Sequence, residues 1–166
     1  MEAHRVAQEC KLIGPSVEQP QYNMFERFKM EQDYLPVFKN MGLGTTVWSP
    51  LAAGFLTGKY NEGIPEGSRL SIKGFDWLKD RWMQDEKIRK VKKLSDLANK
   101  LALPLATLAI AWVISNPHVT TAILGATKKE QLLENLNALD AVSKLTAEVM
   151  ENIEKILENK PYLDLA

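Results

Sequence analysis

Apolar positions along this chain follow two alternating rules. Three short runs of apolar or β-branched residues each end in a polar cluster: Ser16-Val17-Glu18-Gln19, Thr45-Thr46-Val47-Trp48-Ser49 and Thr120-Thr121-Ala122-Ile123-Leu124-Gly125-Ala126-Thr127. Each predicts a strand, at Ser16–Gln19, Thr45–Trp48 and Thr120–Leu124, and each is followed by apolar residues at three- and four-residue spacing, which predicts a helix. Strands that alternate with helices run parallel, because the helix returns the chain to its starting edge. In such folds chemistry gathers at the carboxyl ends of the strands. Gln19, Trp48, Ser49, Gly125 and Thr127 are therefore expected on one shared rim.

The helical stretches differ in clarity. Glu2 to Cys10 reads as helix interior with Ala3, Val6, Ala7 and Cys10 on one face, ended by Gly14 and Pro15. No cap residue precedes it, which is expected of a chain cut within a βα unit. Pro20 removes a ladder donor, so the chain is expected to leave the sheet there. Phe25 to Met41 reads as loop, then helix, with Tyr34, Leu35, Val37, Phe38 and Met41 apolar; Gly42 and Gly44 close it. Residues 50–84 are rich in Gly, Pro and Ser and read as irregular, a length of connection that is usually functional. Asp85 to Leu101 carries a clean stripe of Ile88, Val91, Leu94, Leu97, Ala98 and Leu101. Pro104 opens a helix with Leu105, Leu108, Ala109, Trp112 and Val113 on its buried face, and Asn116-Pro117 stops it. A helix from Lys128 is expected to turn Leu132, Leu133, Leu136 and Leu139 inward. Thr146 caps the last one, which buries Val149, Ile153, Ile156 and Leu157.

Three parallel strands leave two outer edges unpaired, so the chain is expected to be part of a larger closed object. Its 166 residues, with 21 basic and 21 acidic side chains, suit one ordinary domain of zero formal charge. That balance gives no pull toward nucleic acid or an anionic membrane, and any phosphate site must be local. The single cysteine, Cys10, excludes an internal disulfide. No apolar run reaches the roughly 20 residues of a bilayer span, so membrane insertion is not expected and a cytoplasmic location is.

Two loops carry candidate chemistry. Ser49-Pro50-Leu51-Ala52-Ala53-Gly54, continued by Leu56-Thr57-Gly58-Lys59-Tyr60, has small residues that admit a ligand to the backbone, two hydroxyls and a lysine. The same residues would also make a plain surface turn. Gly125-Ala126-Thr127-Lys128-Lys129-Glu130 reads as a helix start with a Thr127–Glu130 capping box. Two lysines in a first turn oppose the helix dipole unless an anion sits there or both simply point into water. Trp48 can pack in a core or offer a flat face to a planar ring, and Gln19 can meet a carboxamide or tie down a loop. Arg69 can clamp a phosphate or remain solvated. Glu134 and Asn135 read first as solvent face. His4 and His118 are isolated, and no metal cluster, phosphate-loop motif or nucleophilic triad appears.

Together these segments resemble the aldo-keto reductases. The resemblance rests on Glu18-Gln19-Pro20-Gln21-Tyr22-Asn23-Met24-Phe25, Trp48-Ser49-Pro50-Leu51-Ala52-Ala53-Gly54 with Thr57-Gly58-Lys59-Tyr60, and Gly125-Ala126-Thr127 with Gln131 and Glu134-Asn135. Ile64-Pro65, Ser68-Arg69, Lys73-Gly74, Trp77-Leu78-Lys79, Leu108 to Trp112 and Asn159 to Tyr162 resemble the branch of voltage-gated potassium channel beta subunits and their relatives. The resemblance implies an α/β fold of the (β/α)8 TIM-barrel family, with residues 1–166 forming the last three βα units and the terminal helix of an NADP-dependent oxidoreductase domain.

It implies NADPH/NADP+ as cofactor. Gln19 would hold the nicotinamide carboxamide and Trp48 would line the nicotinamide site. Ser49, Pro50, Leu51, Ala52, Gly54, Thr57 and Lys59 would surround the pyrophosphate, and Arg69 would reach the adenosine. Gly125, Thr127 and Gln131 would hold the 2′-phosphate, with Glu134 and Asn135 near adenine. Gly67 departs from the branch, whose channel subunits tend to carry tyrosine there. The family's catalytic Asp, Tyr, Lys and His (or Asn) belong to earlier strands, so no catalytic residue is assigned to this chain. The implied partners are a small carbonyl substrate, a potassium channel alpha subunit, and either another copy or the amino-terminal half.

Overall fold

The computed structural model describes residues 1–162. Three parallel strands, β1 (Val17–Glu18), β2 (Gly44–Trp48) and β3 (Thr121–Ile123), lie side by side in chain order. Val17 pairs with Gly44 and Glu18 with Thr45, while Thr46, Val47 and Trp48 pair with Thr121, Ala122 and Ile123. The central strand is the best formed because its β-branched residues suit a pleated surface and it has neighbours on both sides. Its Thr45 and Val47 point into the core, and Thr45 Oγ1 donates to the His118 carbonyl.

Pro20 does not end the pairing. Its carbonyl accepts from the Trp48 N–H at 3.0 Å, and the Tyr22 N–H donates to the Trp48 carbonyl at 3.2 Å. Proline lacks a donor but keeps its acceptor, and here the missing N–H is not the one the neighbour needs. The stretch after β1 therefore stays beside the end of β2, with Gln21 bridged to Trp48.

Helix α1 (Glu2–Glu9) lies before β1 and buries only Ala7, leaving Val6 and Cys10 in solvent. A π-helical turn at Lys29–Asp33 runs into α2 (Leu35–Met41), which buries Phe38 and ends at Gly42 in the left-handed conformation. Met41, expected on the apolar face, is exposed in the last turn.

The stretch 50–84 is not structureless. It contains 3₁₀ turns at Ala52–Thr57 and Arg69–Ser71, then α3 (Asp76–Trp82). Leu78 and Trp82 of α3 are one turn apart and both buried, a four-residue spacing that marks a short amphipathic helix. Helix α4 (Asp85–Lys100) buries Val91, Leu94 and Ala98 as its stripe predicts. Pro104 sits in the cap position before α5 (Leu105–Ile114). Residues 105–113 of α5 are buried all round, so α5 is the central helix against which α4, α6 and α7 pack.

Helix α6 (Lys129–Leu136) starts one residue later than expected and reverses its predicted orientation. Asn135 is buried, while Leu132, Leu133, Leu136 and Leu139 are 45–69 % exposed. The helix rests on α5 and α7, and its leucine face is exposed. Helix α7 (Ala138–Ala141) and a 3₁₀ turn lead to α8 (Ala147–Leu157), where Thr146 Oγ1 accepts from the Val149 N–H at 3.3 Å. Val149, Ile153 and Leu157 are buried there, with Ile156 half-buried.

Candidate functional site at the carboxyl ends of the strands

Parallel pairing places the ends of β1, β2 and β3 on one edge, and with them the turns after Gln19, Trp48 and Ile123. Gln19 and Trp48 meet. Both line a cavity of about 240 Å³ with Pro20, Gln21, Glu26, Phe28 and Lys29. The exposed Gln19 carboxamide makes a long 3.4 Å bond to Thr46 Oγ1, and Trp48 is 43 % exposed. A half-open indole beside an amide offers a flat apolar face next to a donor and an acceptor.

The turn after Trp48 is strained. Ser49, Ala52, Ala53, Gly54 and Gly58 all have positive φ, at 58°, 49°, 58°, 88° and 78°. Non-glycine residues in this region cost about 1–2 kcal/mol each, and such strain persists where surrounding packing over-determines it. That packing comes from below: Phe55 and Leu56 are fully buried, and Phe55 stacks on Trp82 at 5.8 Å and contacts Phe25 at 5.9 Å. Pro50 and Ala52 are buried as well, and Leu51 is half-buried.

Most backbone donors of this turn are already engaged. Ala52 N–H donates to the Ser49 carbonyl, Ala53 N–H to Ser49 Oγ, and Gly54 and Leu56 N–H both to the Leu51 carbonyl. Thr57 Oγ1 donates to the Gly54 carbonyl at 2.8 Å. The anion-attracting group left is Lys59, for which no ion pair is found among the described residues. Its Nζ lies where a side chain on Gly54 would be, 2.9 Å from the position of such a Cβ.

The third turn is different in kind. Residues 125–134 are exposed throughout. The capping box is not formed by Glu130: Gln131 Oε1 accepts from both the Thr127 N–H, at 3.0 Å, and Thr127 Oγ1, at 3.2 Å. Lys128 occupies the cap position, one residue later than the box requires, so the residue reaching back is Gln131. Of the pair read first as solvent face, Glu134 is exposed and Asn135 is buried at 5 % exposure on the underside of α6. Arg69 is exposed, its guanidinium 5.7 Å from the Phe75 ring.

One polar cluster was not anticipated. Arg27, buried, donates to Glu31 through Nε at 2.9 Å and Nη2 at 2.7 Å, and to both Glu154 oxygens at 2.7 and 2.8 Å. Tyr22 donates to Glu31 at 2.7 Å and accepts from Asn116. Burial alone would lower the Arg27 pKa, but the hydrogen bonds from Glu154 and Glu31 outweigh it and hold the group above its usual range. Burial, aided by the Glu31 charge, pushes the Tyr22 hydroxyl well above the usual phenol range. A cavity of about 350 Å³ adjoins this cluster and the Ser115–His118 turn leading into β3. Two carboxylates already satisfy the arginine, so the cluster ties α8 to the loop after β1 rather than offering a free charge. The Arg27–Glu31 half was readable from four-residue spacing; Glu154 is 127 positions away.

With this geometry in place, comparison with known proteins is decisive. The aldo/keto reductase family model matches residues 2–158. The chain belongs to the aldo/keto reductase family. It is 48 % identical over 161 residues to a probable voltage-gated potassium channel subunit beta of Oryza sativa subsp. japonica. It is 47 % identical over 161 residues to a protein of the same description from Arabidopsis thaliana. Each match covers 96 % of this chain and 49 % of the relative, so the chain spans about half the length of these relatives. Family membership implies a (β/α)8 barrel. Three parallel strands with helices following each are a partial fragment of such a ring.

Proposed function

We propose that this chain forms the NADP(H)-gripping lip of an aldo-keto reductase barrel, corresponding to its last three βα units and terminal helix. The parent reaction is reduction of a small aldehyde or ketone, in which the bound cofactor supplies hydride. The observation that carries this reading is the Lys59 ammonium seated in the Gly54 turn with no ion pair among the described residues, on the same sheet edge as the Gln19–Trp48 pair.

In this reading Gln19 orients the nicotinamide carboxamide and Trp48 supports the ring. Ser49, Pro50, Leu51, Ala52, Gly54 and Thr57 form the wall against which the pyrophosphate lies, and Lys59 supplies the charge. Arg69 covers the adenosine, Gly125, Thr127 and Gln131 take the 2′-phosphate, and Glu134 flanks adenine with Asn135 beneath it. The engaged backbone donors of residues 52–56 favour the lysine over the peptide nest as the main anion holder. The chain carries no assigned proton donor, so it is expected to hold cofactor without turning over carbonyl substrate on its own.

The test is NADPH titration by fluorescence, with the chain alone and with the amino-terminal half of the rice relative added. Lys59→Ala and Thr127→Glu should each weaken binding about tenfold or more, the scale of a lost charge-assisted bond or an introduced repulsion. Affinity indifferent to both substitutions would overturn the cofactor map.

The names of the rice and Arabidopsis relatives favour a second reading, a cytosolic beta subunit in which the cofactor site reports redox state to a channel alpha subunit. Co-purification with a channel cytoplasmic domain would separate it from a free-standing reductase, and its failure with the complete parent would remove it. The uncovered leucines of α6 and the outer edges of β1 and β3 are where the rest of the barrel closes, whether from the same chain, a second copy or a separate half.

A further inference from the structure

We propose that Tyr60 is a positioning residue: its ring holds the Lys59 ammonium over the Gly54 turn, presetting the charge for a phosphate group. The inference rests on the cofactor reading above and assigns a role to a residue that reading leaves unused.

Three observations converge on it. Lys59 Nζ lies 5.1 Å from the centroid of the Tyr60 ring. An ammonium at that distance is attracted by the electron-rich ring, an interaction that strengthens as water is excluded. The ring itself does not move freely. Tyr60 is 1 % exposed and packs on Phe55 at 6.4 Å, within the same aromatic group that anchors the strained turn. Finally, Gly54 leaves the seat empty: a Cβ there would stand 2.9 Å from Lys59 Nζ, 3.0 Å from its Cε and 3.9 Å from Tyr60 Cε2. Glycine, lysine and tyrosine thus occupy one small volume in which the cation has a floor of aromatic carbon and, among the described residues, no carboxylate partner.

The tyrosine hydroxyl sharpens the point. It is buried and finds no hydrogen-bond partner among the described residues. An unpaired buried hydroxyl is unfavourable, so hydrogen bonding does not explain an aromatic residue at this position. The ring face does. A lysine free in water samples many rotamers and loses that freedom on meeting an anion; one already laid across a fixed ring loses less.

The experiment uses the full chain with its lysines reductively ¹³C-methylated, the Lys59 resonance being assigned by its loss in Lys59→Ala. In the wild type the Lys59 methyl signal should show an upfield ring-current shift, kept in Tyr60→Phe and lost in Tyr60→Leu. NADPH affinity should fall about two- to fivefold in Tyr60→Leu, the range of a partly solvated cation–π contact, and remain unchanged in Tyr60→Phe. In a Lys59→Ala background Tyr60→Leu should then cost nothing further. A Lys59 signal indifferent to Tyr60→Leu overturns the positioning role while leaving the cofactor map intact. A Lys59 signal that is ring-shifted and answers inorganic pyrophosphate but not NADPH keeps the positioning role and removes the cofactor reading. If Tyr60→Leu weakens binding equally with and without Lys59, the tyrosine is merely structural and the proposal fails. Circular dichroism and the melting temperature of Tyr60→Leu guard against misreading an unfolded variant.

Discussion

The turn after β2 and the turn after β3 occupy the same edge of the same sheet, yet they are built on opposite principles. The first is strained, folded back on its own hydrogen bonds, and bolted to the core by Phe55, Leu56 and Tyr60, all essentially inaccessible to water. The second is exposed at every position from 125 to 134 and is closed by one glutamine reaching back to Thr127. A turn that must hold a fixed charge needs a floor, and the first has one. The second has a wall only on the α5 side, where Asn135 is buried and its leucines are not. One turn is thus fixed by its own core and the other is open to solvent.

Removing the floor of the first turn should have the largest effect. Phe55→Ala deletes a ring from an aromatic cluster with Trp82, Phe25 and Tyr60, and is expected to cost about 3–5 kcal/mol in urea unfolding. Leu133→Ser on α6, by contrast, removes an apolar side chain from solvent and should leave stability within about 0.5 kcal/mol while reducing self-association at high concentration. Equal losses from the two substitutions would abolish the distinction between a built turn and an open one.

A smaller contrast tests the backbone itself. Gly54→Ala places a side chain at φ 88° and against the far end of Lys59. The lysine can swing aside, so the cost is chiefly backbone strain, about 1–2 kcal/mol, accompanied by displacement of the ammonium from its seat. Gly125 has ordinary φ and open space where a Cβ would go, so Gly125→Ala should be near neutral by the same unfolding measurement. A neutral Gly54→Ala would mean that the turn relaxes readily and stores no strain.

The same contrast explains what could be read from the amino-acid order. Strands 17–18, 44–48 and 121–123 were legible as short apolar or β-branched runs ended by polar clusters, and the stripes of α4 and α8 because their buried faces follow the helical period. The Lys59 turn was legible as a small-residue loop carrying a lysine, but the approach of Lys59 to Gly54 was not. Tyr60 beneath it was not, because it packs on Phe55, which is itself held by Trp82 of the separate helix α3. The leucines of α6 misled for the converse reason. Their spacing reports truthfully that the helix has an apolar side, but not whether the covering element lies within this half of the relatives' length. Helix α3 was hidden by the Gly, Pro and Ser that surround it, although Leu78 and Trp82 marked it. Arg27 with Glu31 and Glu154 shows the remaining limit: a buried ion pair closed over 127 positions leaves no local trace of its second half.

The smallest expected effect concerns how the open turn is closed. Gln131 Oε1 accepts two bonds from Thr127, whereas Glu130, the residue a standard capping box would use, makes neither. Gln131→Ala should therefore release the Thr127 N–H and fray the first turn of α6, by about 0.5–1 kcal/mol locally, because the site is solvated and water replaces the lost acceptor. Amide hydrogen exchange reads this directly: protection of the α6 amides from Leu132 onward should fall a few-fold in Gln131→Ala and stay unchanged in Glu130→Ala. The reverse ranking would restore the Thr127–Glu130 box and place the helix start one residue earlier, moving both Lys128 and Lys129 inside the first turn. It would also return the second turn to the class of preorganised anion sites, erasing the asymmetry between the two halves of the lip. With the observed geometry, Lys128 lies outside the helix in extended backbone at φ −137° and ψ 147°, exposed to solvent. The order of the two exchange rates thus decides whether this end of the rim is closed by a helix-start box or by Gln131 reaching back.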